Sequence, residues 1–121
     1  MKKNNSPLMG ADELNTKSTK LGLCAGRHII PDIEGYIFDK IEDVTDLRAM
    51  SKQVHASLRN IEALDLYVTG LTVALIAVIN YCNFNLIPLT LWHFNSATGE
   101  YFPQEVNTTF WEVYLREGGY I

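Results

Sequence analysis

The chain has 121 residues, which allows one domain with a hydrophobic core but not two. Hydrophobic residues make up 47% of it and charged residues 20%, as in ordinary soluble globular proteins. The net charge of −4 argues against a general coat for DNA or RNA, which needs a basic surface, but leaves room for a local basic pocket that takes one small anionic ligand.

The N-terminal segment is polar and lacks periodicity, which predicts a flexible tail over residues 1–19, followed by a single α/β domain over residues 20–121. The segment also lacks the apolar core of a signal peptide, so a cytoplasmic protein is expected. Cys24 and Cys82 both lie in apolar runs. They are expected to be buried, reduced thiols rather than part of a disulfide framework.

Two short strands and one helix are predicted before the middle of the chain. Leu21 to Ala25 reads as a buried strand and Tyr36 to Phe38 as a short edge strand. Thr45 to Glu62 reads as an amphipathic helix that Asp43 and Thr45 are both able to cap, with Asp46 near the positive end of its dipole. Its apolar stripe consists of Leu47, Met50, Val54, Leu58 and Ile61. His55 falls on the solvated face, where a surface residue is expected.

The central unit, Leu64 to Asn95, reads as a strand, a tight turn at Thr69-Gly70, a helix from Val73 to Cys82, and a strand from Ile87 to Phe94. This order predicts a βαβ crossover with two parallel strands. The helix is apolar nearly all round, so we expect it to be covered on several sides. The run from Leu64 to Cys82 is long enough to cross a bilayer. Because Gly70 and Thr72 interrupt it and no basic residues flank it, no membrane association is predicted.

The end of the chain predicts a hairpin followed by an aromatic segment. Residues 96–99 read as a turn with Gly99 at positive φ, and Glu100 to Val106 as an antiparallel strand that Pro103 confines to an edge or a bulge. The aromatic residues after Val106 either pack on the sheet or make a subunit contact. The predicted fold class is α/β, a three-layer Rossmann-like domain with a small, mostly parallel sheet and a C-terminal hairpin strand.

Parallel strands would bring several polar side chains to one edge of the sheet, where open α/β proteins bind their ligands. The residues concerned are Arg27, His28, Thr69, Gly70, Leu71, Thr72, His93 and Asn95. A glycine turn at a helix N-terminus suits a phosphate, to which Thr69 and Thr72 would donate hydroxyl hydrogen bonds. The Arg27 guanidinium would match phosphate oxygens, and Asn95 would read a base edge or a ribose hydroxyl.

Each of these residues also has a purely structural interpretation. A glycine between a strand and a helix is often only a tight connection, and His93, between Trp92 and Phe94, also fits a hydrogen-bonded core imidazole. A zinc site from Cys24, His28, Cys82 and His93 lacks the usual closely spaced ligand pairs, so no metal is predicted. No cofactor is predicted either, because the chain has no P-loop, GxGxxG, GxSxG or HExxH motif.

The sequence VTGLTVAL, with the early AGRH, resembles CRISPR-associated proteins of the Rossmann-like CARF type. In that family the last core strand typically ends in a TG-x-T turn before a helix, and the pattern here extends over Leu21 to Val106. The resemblance implies a homodimer with a role in antiviral defence that binds a nucleotide second messenger, such as a cyclic oligoadenylate. Typical members are longer or carry an effector domain, so it points to a sponge or a ring nuclease.

Whether the protein is an enzyme stays open at this point. Metal-independent cleavage of an RNA phosphodiester would use the 2′-hydroxyl as nucleophile, His28 or His93 as acid or base, and Arg27 as the cation beside the phosphate. The alternatives are a protein-interaction module without a small-molecule ligand and a nucleotide-processing enzyme outside CRISPR.

Overall fold

Five strands and two helices make up the described part of the chain, which is residues 17–26 and 29–106 of a computed structural model. In chain order they are β1 (Ser18–Cys24), β2 (Tyr36–Phe38), α1 (Leu47–Leu58), β3 (Ala63–Tyr67), α2 (Thr72–Phe84), β4 (Leu89–Asn95) and β5 (Glu100–Val106). Most of the predicted tail and the aromatic C-terminal segment lie outside the described residues. Ser18 and Thr19, which were predicted as part of the tail, belong to β1.

The strands form one sheet in the order β2-β1-β3-β4-β5. The first four are mutually parallel, and β5 pairs with β4 in the antiparallel direction at the edge of the sheet. The predicted fold class is confirmed as a small α/β, Rossmann-like domain with a mostly parallel sheet and a C-terminal hairpin strand. The predicted βαβ crossover is present as well, because β3 and β4 flank α2 in the chain and pair in parallel with Leu64 opposite Leu89.

The hydrophobic core lies between one face of the sheet and both described helices. Alternate residues of the central strands point into it, and the registers place Leu21 beside Leu66 and Leu66 beside Leu91. The buried helix residues that meet them are Met50, Val54 and Leu58 of α1 and Ala74, Val78 and Cys82 of α2. The two helices therefore cover a single face of the sheet and pack against each other.

The start of α1 differs from its prediction in the residue that caps it. Asp46 is the N-cap, and its carboxylate accepts a hydrogen bond of 3.0 Å from the Ala49 N–H. Asp43 instead accepts hydrogen bonds from the Thr45 hydroxyl and from the Thr45 N–H, and both bonds lower the pKa of its carboxyl. Neither Asp43 nor Thr45 caps the helix, because they are hydrogen-bonded to each other in the segment before Asp46.

Helix α2 is buried on one side only, within the part of the chain that the structure describes. Ala74, Val78 and Cys82 are fully buried, but Ile76 is 49% exposed and Phe84 is 87% exposed. The expectation that α2 is covered on several sides is therefore not met by the described elements. Among these elements, no helix has the length and apolar content required to cross a membrane.

The two cysteines are not joined by a disulfide bond, and Cys82 is fully buried as predicted. Burial raises the pKa of its thiol to about 11 from an ordinary value of 9.0. The folded protein holds this proton more tightly than the unfolded chain does. The stabilisation is therefore complete below pH 9 and is lost as the pH rises from 9 through 11.

We expect the free energy of unfolding to fall by on the order of 2 kcal/mol across this window because of Cys82. Urea denaturation at about pH 8.5, 9.5 and 10.5 measures this free energy, and Cys82→Ala is the matched variant. Since Tyr67 and Tyr101 also have pKa values raised by burial, only the difference between the two proteins reports on the thiol. Parallel pH profiles for both proteins would contradict the prediction.

Candidate ligand-binding rim

The carboxyl ends of β1, β3 and β4 lie side by side at one edge of the sheet. This follows from their order and common direction, since Gly22 pairs with Tyr67 and Tyr67 with Trp92. The predicted side-by-side arrangement of these strand ends is confirmed. We call this edge the rim, which comprises Ala25-Gly26 after β1, Val68 to Thr72 after β3, and His93 and Asn95 at the end of β4.

Thr69 joins two of these strand ends. Its hydroxyl donates to the Cys24 carbonyl at 2.7 Å and accepts from the Cys24 N–H at 3.1 Å, and the residue is only 4% exposed. The side chain thereby continues the β1–β3 pairing beyond the end of β3. A hydroxyl has one hydrogen to donate, and here it is used within the protein. Thr69 is in place to position the rim, and donation from it to a ligand would require this bond to break.

Gly70 closes the turn between β3 and α2 against β1. Its φ of +101° is a conformation that side chains rarely adopt, and an added Cβ would lie 3.2 Å from both Cβ and Sγ of Cys24. Together Thr69 and Gly70 hold the loop onto the end of β1. The glycine is therefore required by backbone conformation and by close packing.

The first turn of α2 opens onto the rim without a capping side chain. Leu71 is the N-cap residue, has an extended backbone, and makes no side-chain hydrogen bond to the helix. Its carbonyl accepts the first helical bond, from the Leu75 N–H at 3.1 Å. The N–H groups of Thr72, Val73 and Ala74 have no hydrogen-bond acceptor within the described residues, and Thr72 is exposed. These groups carry the positive end of the helix dipole.

His93 is engaged with the neighbouring edge strand. Its Nε2 lies 2.8 Å from Oε1 of Gln104, and its ring lies 5.4 Å from that of Phe102. The tautomer of the imidazole decides which partner donates in this contact, and Nδ1 makes no hydrogen bond within the described residues. The contact fits the hydrogen-bonded imidazole considered from the sequence, and the catalytic role of His93 stays a prediction.

Asn95 shapes the hairpin turn with one of its two side-chain groups. Its Oδ1 accepts from the Ala97 N–H at 2.9 Å, and its carbonyl accepts from the Gly99 N–H at 2.7 Å. Gly99 has the predicted positive φ, +77°. Within the hydrogen bonds that the structure describes, the Asn95 amide nitrogen has no partner. That amide is therefore the group with which Asn95 would contact a ligand.

Arg27 and His28 lie outside the described residues. The rim that is described carries no charged side chain between Val68 and Ala74 or between His93 and Gly99. Glu100, which pairs with Asn95 at the start of β5, is the first acidic residue after the rim. Within the described rim, the positive end of the α2 dipole is therefore the feature that attracts an anion, and Arg27 is the first basic residue after β1 in the sequence.

An acidic cavity lies at the carboxyl end of β2 and had no counterpart in the sequence analysis. Its volume is about 390 Å³, and it lies between the segment after β2 and the first turns of α1. The lining includes Asp39, Glu42, Asp43 and Asp46, with Lys40 as the basic residue. These carboxylates would repel a phosphate. No sequence motif predicted this cavity, because acidic residues in a loop before a helix are normally interpreted as solvated or capping residues.

Comparison of the chain with models of known protein families, with curated proteins and with solved structures finds no match in any of the three. Function is therefore inferred from the rim itself. Within the described residues, no group of three or more His, Cys, Asp or Glu side chains is placed to hold a metal ion.

Proposed function

We propose that the protein binds a small nucleotide of the second-messenger type, such as a cyclic oligoadenylate, at the rim. The observation that carries this proposal is the uncapped first turn of α2, placed where three adjacent parallel strands end. Open N–H groups at such a position attract a phosphate through hydrogen bonds and through the helix dipole. The rim is also uncharged, in contrast to the acidic cavity at the end of β2.

Each rim residue has a role in this proposal that matches its contacts. The N–H groups of the first turn and the Thr72 hydroxyl bind phosphate oxygens, and the Asn95 amide donates to a base or a ribose. Thr69 and Gly70 fix the loop through Cys24. Arg27 lies two residues after Ala25 in the sequence. Its guanidinium would add the positive charge that the described rim lacks.

If the bound nucleotide is also cleaved, the chemistry is transesterification. The ribose 2′-oxygen attacks the adjacent phosphorus, a 2′,3′-cyclic phosphate forms, and the 5′-oxygen leaves with a proton. Nδ1 of His93 or the imidazole of His28 would take the 2′-hydroxyl proton, and Arg27 would face the phosphate. Analysis of the products after incubation with cyclic oligonucleotides distinguishes an enzyme from a sponge.

The binding test is a thermal-shift screen with mono-, di- and cyclic oligonucleotides, run on the wild type and two variants of Thr72. A ligand at about 100 times its Kd stabilises the native state by about 2.7 kcal/mol, which is a shift of several degrees. We expect Thr72→Ser to keep the shift because it keeps the hydroxyl. Thr72→Asp should abolish it because a carboxylate occupies the phosphate position.

Thr72→Asp has a further advantage as a test variant. A carboxylate in the first turn of α2 interacts favourably with the helix dipole, so the unliganded variant should melt no lower than the wild type. Loss of the nucleotide shift then cannot be ascribed to unfolding. An undiminished shift in Thr72→Asp would place the ligand elsewhere, and no shift in any protein would remove the proposal.

The second candidate function is a protein-interaction module that forms a homodimer. The outer side of α2 favours it, because Val73, Ile76 and Phe84 are exposed and the helix carries no charged residue. Two copies of such a surface meet without charge repulsion. Light scattering across a concentration series should show a dimer that Ile76→Asp dissociates, whereas a wild-type monomer at every concentration would exclude this interface.

A further inference from the structure

The C-terminal end of α2 carries two large apolar side chains that project into solvent. Phe84 is the last residue of the helix and Leu86 lies two residues beyond it, and each is 87% exposed. Single exposed apolar residues are normal on a protein surface. Here two of them stand together, while Cys82 and Ile87 on either side are buried. We call Phe84 and Leu86 the knob.

The backbone of Leu86 has a conformation that leucine rarely adopts. Its φ is +57°, in the left-handed region, and it follows Asn85, the C-cap residue of α2. The Ile87 N–H donates to the Cys82 carbonyl at 2.9 Å, a helix ending that normally has glycine where Leu86 stands. A side chain in this conformation costs stability, and a leucine that is 87% exposed recovers little of it by burial. An unfavourable conformation that the single chain does not need indicates a role in binding.

A cavity lies beside the knob, between α1 and α2, and we call it the hole. Its volume of about 390 Å³ falls within the range of pockets that enclose a ligand. Val54, which is fully buried, and Ala77 give it an apolar interior. Tyr81 and His55 lie at its wall, with the Tyr81 hydroxyl 3.3 Å from Nδ1 of His55. An apolar interior bordered by polar groups suits an aromatic side chain.

The face that carries the knob and the hole has no charged residue on its α2 side. The sequence from Leu66 to Trp92 contains no Asp, Glu, Lys, Arg or His. Among the described residues, α1 contributes Ser51, Val54 and His55 to the lining of the hole. The central parts of protein interfaces are depleted in charged residues and enriched in aromatic ones. Because the chain has a net charge of −4, a second copy meets less repulsion at this neutral face than at an acidic one.

The knob and the hole are complementary parts of one surface. Two copies related by a two-fold axis can therefore each insert their knob into the hole of the other, and both contacts form together. A partner of different sequence would need a matching knob and hole of its own, whereas a second copy already has them. A face of two short helices lies at the small end of specific interfaces, so a weak, concentration-dependent dimer is expected.

We propose that two copies of the chain form a dimer in which the knob of each occupies the hole of the other. This interlocked dimer rests on the second candidate function, the homodimer, and specifies its contact. The rim stays open in it, because the rim lies at the N-terminal end of α2 and the knob at the C-terminal end, about 20 Å away. Nucleotide binding and dimer formation are therefore separate events.

Substitutions in the knob provide the first test, by sedimentation equilibrium on the full-length chain. Phe84→Ala and Leu86→Gly should each raise the dimer dissociation constant at least about tenfold, because each removes a side chain that enters the hole. Leu47→Ala is the matched control, since this leucine is 58% exposed at the start of α1, and its loss should change the constant by less than about twofold. An unchanged constant in Phe84→Ala would overturn the interlocked dimer.

Leu86→Gly also separates loss of the dimer from loss of stability. At concentrations where both proteins are monomeric, we expect the variant to melt about 3 °C higher than the wild type, because glycine adopts the left-handed conformation without strain. A dimer that weakens while the monomer becomes more stable cannot be ascribed to unfolding. A variant that melts lower than the wild type would mean that Leu86 serves the fold of the single chain, and its place in the knob would be wrong.

Mixing two variants tests the reciprocal contact. Ser51→Trp places an indole in the hole from an exposed position on α1, and Phe84→Ala removes the aromatic part of the knob. Neither variant should dimerise at a concentration where the wild type does. An equimolar mixture should form a heterodimer, because the knob of Ser51→Trp fits the unobstructed hole of Phe84→Ala. A mixture no more associated than the separate variants would contradict the reciprocal arrangement.

The outcomes distinguish this contact from the homodimer itself. A wild type that is monomeric at every concentration removes both. A dimer that Ile76→Asp dissociates and Phe84→Ala leaves intact keeps the second candidate function and overturns the interlocked contact.

Discussion

Gly70→Ala is expected to lower the free energy of unfolding by about 2–4 kcal/mol. Two costs combine at this position. The backbone φ of +101° is unfavourable for any residue with a Cβ, and the new methyl would lie 3.2 Å from both Cβ and Sγ of Cys24. Urea denaturation monitored by circular dichroism measures the loss. The same substitution should move the end of β1 away from the Thr69 hydroxyl and so disturb the rim.

Gly99→Ala is the matched control for the backbone cost. Gly99 has a comparable φ of +77°, but a Cβ there would meet no atom within 4 Å. We therefore expect it to cost only the conformational part, about 1–2 kcal/mol. The excess for Gly70 measures its packing on Cys24. If both substitutions cost the same, the close approach of the loop to β1 has no energetic weight and the rim is less rigid than inferred.

Much of the fold was predictable because the relevant signals are local. The stripe containing Met50, Val54 and Leu58 identified α1, and the change from β-branched residues to a helical run after Gly70 identified the βαβ unit. Short connections and the right-handed crossover rule then leave few arrangements for the parallel strands. The edge position of β5 was predicted from Pro103, which has no backbone N–H to donate to a second neighbouring strand.

The chemistry of the rim was less predictable because it depends on contacts distant in sequence. Thr69 was predicted to bind the ligand, but its hydroxyl is hydrogen-bonded to the backbone of Cys24, 45 residues away. His93 read as a candidate base, but its Nε2 contacts Gln104 across the hairpin. Sequence spacing identifies which residues end the strands. It does not identify which of their polar atoms are already satisfied within the fold.

The clustering of aromatic rings on one face of the sheet shows the same limit on a larger scale. Tyr67, Trp92 and Tyr101 each fit the β-strand pattern, and nothing in their own segments distinguishes a packed cluster from three separate surface residues. Only the registers of β3, β4 and β5 place them together. The register likewise places Gly22 of β1 beneath the ring of Tyr36 of β2, a contact that the sequence analysis did not predict.

That position makes Gly22→Ala the second substitution with a large expected cost, about 3 kcal/mol. An added Cβ would lie 2.5 Å from two ring carbons of Tyr36, so the ring has to leave its place or β1 and β2 have to separate. Denaturation of the single variants and the double variant measures the coupling between the two positions.

The sign of the effect should reverse once the ring is removed. In a Tyr36→Ala background the two closest contacts of the added Cβ are gone, and the next nearest atom is Ile33 Cδ1 at 3.4 Å, which is ordinary contact. Alanine in a strand interior is then favoured over glycine by about 0.5–1 kcal/mol, because glycine loses more conformational freedom on folding. A cost that stays near 3 kcal/mol in that background would mean that the Tyr36 ring does not lie over Gly22, and the placement of β2 beside β1 would be wrong.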